Sequence, residues 1–171
     1  AYIYLSEGQY MQALNTIGVD KNATDSDMNV EVKALALKNL NQPKMSLEHF
    51  EVLFKREPNV YLAYEMADMK IQTDDLVGAR LNIDYALTNV TDDMKRAFYE
   101  RQQPYETSMK AALLYLKGIL KFTENKETNM NEALKLMNDA LAIDSNFNLA
   151  KVSREALEAQ KAQRGAAAKK N

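Results

Sequence analysis

A small residue followed by larger apolar residues recurs along this chain at a spacing of 33 residues. Ala13, Ser46 and Ala79 are each 33 positions apart, and Ala133 comes 54 positions after Ala79. Four positions after each small residue comes a larger apolar residue: Ile17, Phe50, Ile83 and Met137. Three positions later the last three copies have another apolar residue, Leu53, Ala86 and Ala140, whereas the first copy has Asp20. Steps of four and three return to one face of an α-helix. This period predicts short helices that bury their apolar faces against neighbouring copies.

The stretch from residue 28 to residue 58 is the clearest copy, and it predicts two short helices that fold back on each other. Apolar residues recur at helical spacing on both sides of the sequence Asn41-Gln42-Pro43. Because proline cannot continue the backbone hydrogen bonds of a helix, this sequence ends the first helix, and Pro58 ends the second. The two apolar faces are Val30, Ala34, Leu37 and Leu40, and Leu47, Phe50, Leu53 and Phe54.

At these positions the chain resembles the tetratricopeptide repeat (TPR) family, whose period is roughly 34 residues. The resemblance covers nearly all of residues 1–162 and is clearest in the second and last copies: Ala34, Ser46, Phe50, Leu53 and Pro58, and Ala133, Met137, Ala140, Asp144 and Ser145. It implies an all-α fold, a TPR-like helical solenoid in which antiparallel helix pairs form a right-handed superhelix. The few prolines and glycines, three and five, agree with an all-helical chain.

The repeat phase predicts a single TPR-like solenoid over residues 1–163. Its repeats span residues 1–19 (partial), 27–58, 59–89 and 104–145. We expect an extra helix over residues 92–103 before the last repeat, because Met94, Phe98 and Arg101 follow at helical steps, and a long helix over about residues 104–124. A capping helix over residues 147–163 would cover the last exposed face, and residues 164–171 would form a flexible tail.

Composition argues against several classes of function. The net charge of −2 and the pI of about 5.6 give no electrostatic case for nucleic acid. No apolar run approaches the roughly 18 residues of a membrane span. Cysteine is absent, His49 is the only histidine, and there is no glycine-rich phosphate loop, so we expect neither an enzyme nor a cofactor. His49 falls on the outer side of its helix, and a lone imidazole builds no triad or metal site, so we expect it to be a surface residue.

The polar connection after Gly18 loosely matches a calcium-binding loop. Asp20, Asn22 and Thr24 alternate with other residues, and Glu31 follows, but Asp25 stands where such a loop requires glycine. We therefore expect an ordinary connection, with Ser26 or Asp27 capping the next helix, and no metal site. The chain opens at Ala1 already within a helical pattern, so we expect upstream sequence to be missing, which leaves an exported or envelope location open.

In the TPR family the first helices of the pairs line a concave groove that holds partner segments. The resemblance implies an apolar, tyrosine-bearing groove with few charges, suited to a peptide or a helix. Chaperone-binding members clamp a terminal carboxylate with Lys, Asn and Arg; here those positions hold Glu31, Val32, Leu35, Tyr61 and Glu65, so we expect no such partner. The groove candidates are Met28, Glu31, Leu35 and Lys38; Tyr61, Tyr64, Asp68 and Ile71; and Tyr115, Ile119 and Phe122.

The leading interpretation of the sequence is a protein–protein interaction scaffold that binds a partner peptide or helix in this groove, as a monomer or weak homo-oligomer. Two alternatives remain open. The chain could be a structural or self-associating module of a longer envelope or secreted protein. It could also bind sugars, because tyrosine rings can stack on a sugar ring.

Overall fold

The computed structural model of the protein describes residues 1–168, and over these residues the chain is mostly helical. The chain forms two compact units, Ala1–Ala86 and Leu87–Asn171. The first contains six helices, although the last runs slightly beyond Ala86: α1 (Tyr2–Ser6), α2 (Tyr10–Ile17), α3 (Asp27–Asn39), α4 (Pro43–Arg56), α5 (Val60–Gln72) and α6 (Leu76–Asn89). The second contains a β-hairpin and three helices: β1 (Lys95–Phe98), β2 (Tyr105–Ser108), α7 (Met109–Glu124), α8 (Met130–Ile143) and α9 (Asn148–Ala168).

Consecutive helices from α1 to α5 pack against each other in the first unit. Its main core draws residues from three helices: Val30 and Ala34 of α3, Phe50 and Leu53 of α4, and Met66 and Met69 of α5. The Phe54 ring also meets the Tyr85 ring of α6 edge-on, with 5.2 Å between the ring centroids. Most residues of the apolar faces expected in the second repeat therefore pack in this core, whereas Leu37 and Leu40 pack in a second cluster with Leu14. The prediction that Phe50 is buried is confirmed.

The same backbone turn occurs three times at a spacing of 33 residues. Gly8, Asn41 and Asp74 each have a positive φ, of 74°, 57° and 65°. In each turn the next residue donates its backbone N–H to a carbonyl five positions earlier: Gln9 to Tyr4, Gln42 to Leu37, and Asp75 to Lys70, at 2.7–2.9 Å. This is the Schellman ending of a helix, and glycine, asparagine and aspartate are the residues that adopt its left-handed conformation most readily. The period seen in the apolar residues is thus also a period of the backbone.

The four small residues that define the sequence repeat are all fully buried. Ala13, Ser46, Ala79 and Ala133 have an exposed fraction of 0 %. Ser46 of α4 also donates its hydroxyl to the Ala34 carbonyl of α3, at 2.7 Å, so its polar atom is satisfied inside the core. The apolar residues that follow Ser46, Ala79 and Ala133 by four positions are buried as well.

The predicted extra helix over residues 92–103 is wrong, because this segment belongs to a β-hairpin. Strands β1 and β2 pair antiparallel, with Phe98 opposite Tyr105 and Arg96 opposite Thr107. A step of four positions, such as the step from Met94 to Phe98, satisfies the period of a strand as well as that of a helix. Pro104 lies in the connection between the strands, where its missing N–H costs no ladder hydrogen bond. Consequently α7 begins at Met109, after the N-cap Ser108, and not near residue 104.

The hairpin is joined to the connection between α8 and α9 by aromatic and polar contacts. Phe98 lies 5.1 Å from Phe147 and stacks on Tyr105 at 5.7 Å, measured between ring centroids. The Tyr105 hydroxyl donates to Glu100 at 2.6 Å, and burial together with this bond raises the pKa of Tyr105. Thr107 donates its hydroxyl to Asp144 at 2.6 Å. The hairpin is therefore part of the core of the second unit.

The last helix extends further than the sequence predicts. We expect a helix ending near residue 163, whereas α9 continues to Ala168, because no proline or helix-ending turn interrupts the alanine-rich sequence. The part of the predicted tail from 164 to 168 is therefore helical, and residues 169–171 lie outside the described residues. The single-solenoid organisation stays a prediction. Within residues 1–168 the structure contains no helix with the length and apolar character that crossing a lipid bilayer requires.

Replacing Phe50 by alanine tests the core of the first unit. Because Phe50 is only 2 % exposed, Phe50→Ala should lower the free energy of unfolding by about 3–5 kcal/mol. Met45→Ala, at an exposed position of the same helix, is the control and should change it by about 0.5 kcal/mol or less. Urea unfolding followed by circular dichroism measures both, and a loss below about 1 kcal/mol for Phe50→Ala would place this ring outside the core.

Substitutions at Asn41 test the repeated turn. Alanine in the left-handed conformation is disfavoured, so Asn41→Ala should lower the free energy of unfolding by about 1–2 kcal/mol. Asn41→Gly should change it little, because glycine adopts this conformation without strain. Equal losses for the two variants in urea unfolding would show that the Asn41 side chain matters and its backbone conformation does not.

Candidate functional site: a cavity beside Tyr61

A cavity of about 330 Å³ opens on the first unit where α3, the end of α4 and the start of α5 meet. Its wall combines apolar, aromatic and charged side chains and therefore differs in composition from the apolar core. The lining residues are Asp27 and Glu31 of α3, Leu53 and Arg56 of α4, Glu57 and Asn59 of the connection, and Tyr61 and Leu62 of α5.

The connection between α4 and α5 places the Tyr61 ring at this cavity. α4 ends at Arg56, and the next helix begins after Asn59, whose side-chain oxygen accepts the Leu62 backbone N–H at 2.9 Å. This N-cap fixes the first turn of α5, which contains Tyr61. The Tyr61 side chain remains 46 % exposed, so its ring is available to a ligand.

In the lining of the cavity, an ion pair joins the start of α3 to the end of α4. Of the two cap candidates in the sequence, Ser26 caps α3 by accepting the Asn29 backbone N–H at 3.3 Å, and Asp27 is the first residue of the helix. Arg56 donates to the Asp27 carboxylate at 2.7 Å and to the Asp25 carbonyl at 3.0 Å. Asp27 at the positive end of α3 and Arg56 at the negative end of α4 also oppose the helix dipoles.

Two further carboxylates at the cavity are not compensated. Glu31 and Glu57 are exposed, and within residues 1–168 neither side chain makes a hydrogen bond or an ion pair. The lining therefore carries three carboxylates and one guanidinium, and that guanidinium is already paired with Asp27. The arrangement can attract a cation and offers it an apolar and aromatic wall.

Two of the groove residues suggested by the sequence lie together at this cavity, and one is clearly unavailable. Glu31 and Tyr61 both line it. The expected exposure of Tyr64 is wrong, because its side chain is only 3 % exposed: one helical turn beyond Tyr61, this ring faces the interior. The cavity also carries more charged side chains than the groove that the sequence predicts. Met28 is exposed but does not line the cavity.

The remaining candidates are half-buried. Leu35 packs against the main core of the first unit, and Lys38 pairs with Glu65 of α5. In the second unit the Tyr115 ring meets the Phe147 ring edge-on at 5.3 Å. Asp68 and Ile71 of α5, and Ile119 and Phe122 of α7, are half-buried too. Their role in partner binding stays a prediction.

Sequence reasoning missed four polar residues of the cavity. Asp27, Arg56, Glu57 and Asn59 all belong to helix ends and connections, whereas the family pattern directs attention to the middle of the first helices. One signal was available, since Asn59 directly after Pro58 is a typical helix start and fixes where the following residues point.

The connection that resembles a calcium loop is held by basic side chains. Lys33, buried on α3, donates to the Asp20 carbonyl at 2.9 Å and to the Asp25 carboxylate at 2.5 Å. The expected surface position of His49 is wrong: it is 3 % exposed, and its Nε2 donates to the Val19 carbonyl at 2.8 Å. The outward side of α4 becomes interior because this connection covers it. The described residues hold no group of three His, Asp or Glu side chains placed to bind a metal ion.

Comparisons with known proteins give no independent assignment of the site. No protein-family model matches the chain, and neither the curated proteins nor the solved structures include a match to it. The interpretation of the cavity therefore depends on its own geometry and chemistry.

The buried imidazole predicts a dependence of stability on pH. Burial lowers the pKa of His49, and Lys33 lowers it further, against opposing effects of the Val19 carbonyl, Glu48 and Asp25. The unfolded chain, with an ordinary histidine pKa of about 6.5, therefore binds the proton before the folded chain does. The free energy of unfolding should fall as the pH drops from 7 towards 5, and the loss should stop growing below the lowered pKa.

The variant His49→Gln isolates this effect. Its amide can still donate to the Val19 carbonyl, and the chain then contains no histidine. In urea unfolding at pH 7, 6 and 5, the free energy of unfolding should fall clearly for the wild type and only slightly for the variant. The same decline in both proteins would assign the pH dependence to the carboxylates instead.

Proposed function

We propose that this protein is an interaction module, built from helix pairs of the TPR type, that binds an extended or helical segment of a partner protein. The cavity beside Tyr61 is the anchor site. The observation that carries the proposal is the presence of Glu31 and Tyr61 at one cavity, since both are positions at which the family resemblance implies contact with a partner.

The repeat interpretation is supported by two features with the same period. The Schellman turns at Gly8, Asn41 and Asp74 recur every 33 residues, and so do the buried small residues Ala13, Ser46 and Ala79. A chain that repeats both its helix-ending turn and its point of close packing repeats a whole supersecondary unit. The proposal assigns the protein no catalytic activity.

The chemistry of the wall supports a peptide as the ligand. Tyr61 offers exposed apolar area together with a hydroxyl, a combination that is enriched in binding hot spots. Leu53 and Leu62 add an apolar wall. The volume of about 330 Å³ is near the lower limit of small-molecule pockets, which suits one anchoring side chain with the rest of the segment on the surface.

Self-association is a second candidate, favoured by exposed apolar residues in the first two helices. Tyr2 and Ile3 of α1 and Met11 of α2 are all strongly exposed. Light scattering across a range of protein concentrations distinguishes the candidates. A concentration-dependent rise in mass that Ile3→Ser abolishes would favour self-association, whereas a constant monomer mass would favour a different partner.

Removing the Tyr61 ring tests the proposed function. Tyr61→Ala should weaken the binding of a partner by roughly 2 kcal/mol or more, which is the hot-spot threshold. The melting temperature should hardly change, because the ring is exposed. Tyr99→Ala, at an exposed tyrosine of the second unit, is the matched control and should retain every partner.

The readout is quantitative capture of proteins from the source cell by immobilised wild type and by both variants, followed by titration of the captured partner. Partners lost only with Tyr61→Ala would agree with the proposal. Partners retained in full by well-folded Tyr61→Ala would contradict it and would point to another surface. The ring of Tyr64 is unsuitable for this test, since its burial means that removing it destabilises the fold.

A further inference from the structure

We propose that the cavity beside Tyr61 accepts a cationic side chain, a lysine or an arginine, from the partner segment. This inference depends on the proposed function and specifies the chemistry of the partner. The cavity has a defined lining, and the charges of that lining decide which side chain fits.

The charge balance of the lining favours a cation. Asp27 and Arg56 compensate each other through their ion pair at 2.7 Å. Arg56 also donates to the Asp25 and Ala23 carbonyls of the connection between α2 and α3, so it offers few free N–H groups to an incoming anion. Glu31 and Glu57 remain as two exposed, unpaired carboxylates in the lining of the same cavity. A cationic group in the cavity gains attraction from both carboxylates, and it loses little hydration because both residues are exposed.

The rest of the wall favours a cation on a long apolar stem. Leu53 and Leu62 provide aliphatic contact, and the exposed Tyr61 ring provides an aromatic face. Lysine and arginine combine several methylene groups with a charged end, and their stems pack on apolar surface while the charge stays in water. An ammonium or guanidinium group near the ring would also interact with its π-electrons.

Other ligands fit this wall less well. An anion would be repelled by the two unpaired carboxylates, and a purely apolar side chain would gain no attraction from them. A bare metal ion would find no set of three protein ligands, since the described residues contain none. The apolar wall also has no role in holding a hydrated ion.

The experiment uses three blocked amino acids as probes of the isotope-labelled full chain. N-acetyl-arginine amide and N-acetyl-lysine amide carry the cation, and N-acetyl-citrulline amide has nearly the shape of the arginine probe without its charge. Nuclear magnetic resonance titration should show the two cationic probes shifting the backbone signals of Glu57, Tyr61 and Leu62. The citrulline probe should shift them much less at the same concentration.

A charge-neutralised variant tests the role of the carboxylates. Glu31→Gln/Glu57→Gln should weaken binding of the arginine probe by about three- to tenfold, from two exposed charge interactions of ordinary size. Glu7→Gln/Glu51→Gln changes the net charge equally but lies outside the cavity lining, and it should bind like the wild type. Because Glu31 and Glu57 are exposed and make no bond within the described residues, Glu31→Gln/Glu57→Gln should keep the melting temperature of the wild type.

Several results would overturn the inference. Equal shifts with citrulline and arginine would remove the role of charge, and the absence of shifts at Tyr61 with either cationic probe would remove the site. Equal weakening by both double variants would mean that only the overall charge matters. A partner that is lost with Tyr61→Ala but retained by Glu31→Gln/Glu57→Gln would refute the cationic anchor and leave the proposed function standing, whereas a partner retained by Tyr61→Ala would refute the proposed function itself.

Discussion

Close packing between consecutive helices depends on a small residue at one position of every second helix. Ala13, Ser46, Ala79 and Ala133 occupy this position, and each is fully buried. In the first unit Ser46 approaches α3 so closely that its hydroxyl bonds to the Ala34 carbonyl at 2.7 Å. In the second unit a Cβ atom added to Gly118 of α7 would lie 3.3 Å from the Ala133 carbonyl and 2.8 Å from the end of Met137. A larger side chain at such a contact would force the helices apart.

This spacing between helices determines where the functional residues come to lie. With α3 and α4 packed closely, the Schellman turn at Asn41 brings the end of α4 back beside the start of α3, where Arg56 pairs with Asp27. The Asn59 cap then starts α5 at a fixed point and leaves the exposed Tyr61 ring beside the uncompensated Glu31. The cavity therefore forms because the Asn59 cap starts α5 beside the ends of the closely packed helices α3 and α4.

The sequence predicts the features that repeat along the chain. It does not predict features that depend on contacts with segments outside the repeated pattern. Buried Phe50 and the small residues are visible because the helical face and the 33-residue spacing are local properties. The hairpin is missed because the step from Met94 to Phe98 fits a strand as well as a helix. The burial of His49 is not predicted, because the connection that covers it is distant in the sequence and close only in the folded chain. The charges around Tyr61 are not predicted either, because they belong to helix ends, which the helical period does not describe.

Enlarging the small residues tests most directly whether close packing of the helices requires a small side chain at the repeated position. Ala133→Leu should lower the free energy of unfolding by about 1–3 kcal/mol, since added volume at a close helix contact has no space. Ala142→Leu adds the same volume at an exposed position of the same helix and should change it by about 0.5 kcal/mol or less. A large loss for Ala133→Leu alone, repeated at Ala13, Ser46 and Ala79, is the result that the account predicts. Equal stability of Ala133→Leu and Ala142→Leu would contradict it, because the helices would then not require a small residue at the repeated position.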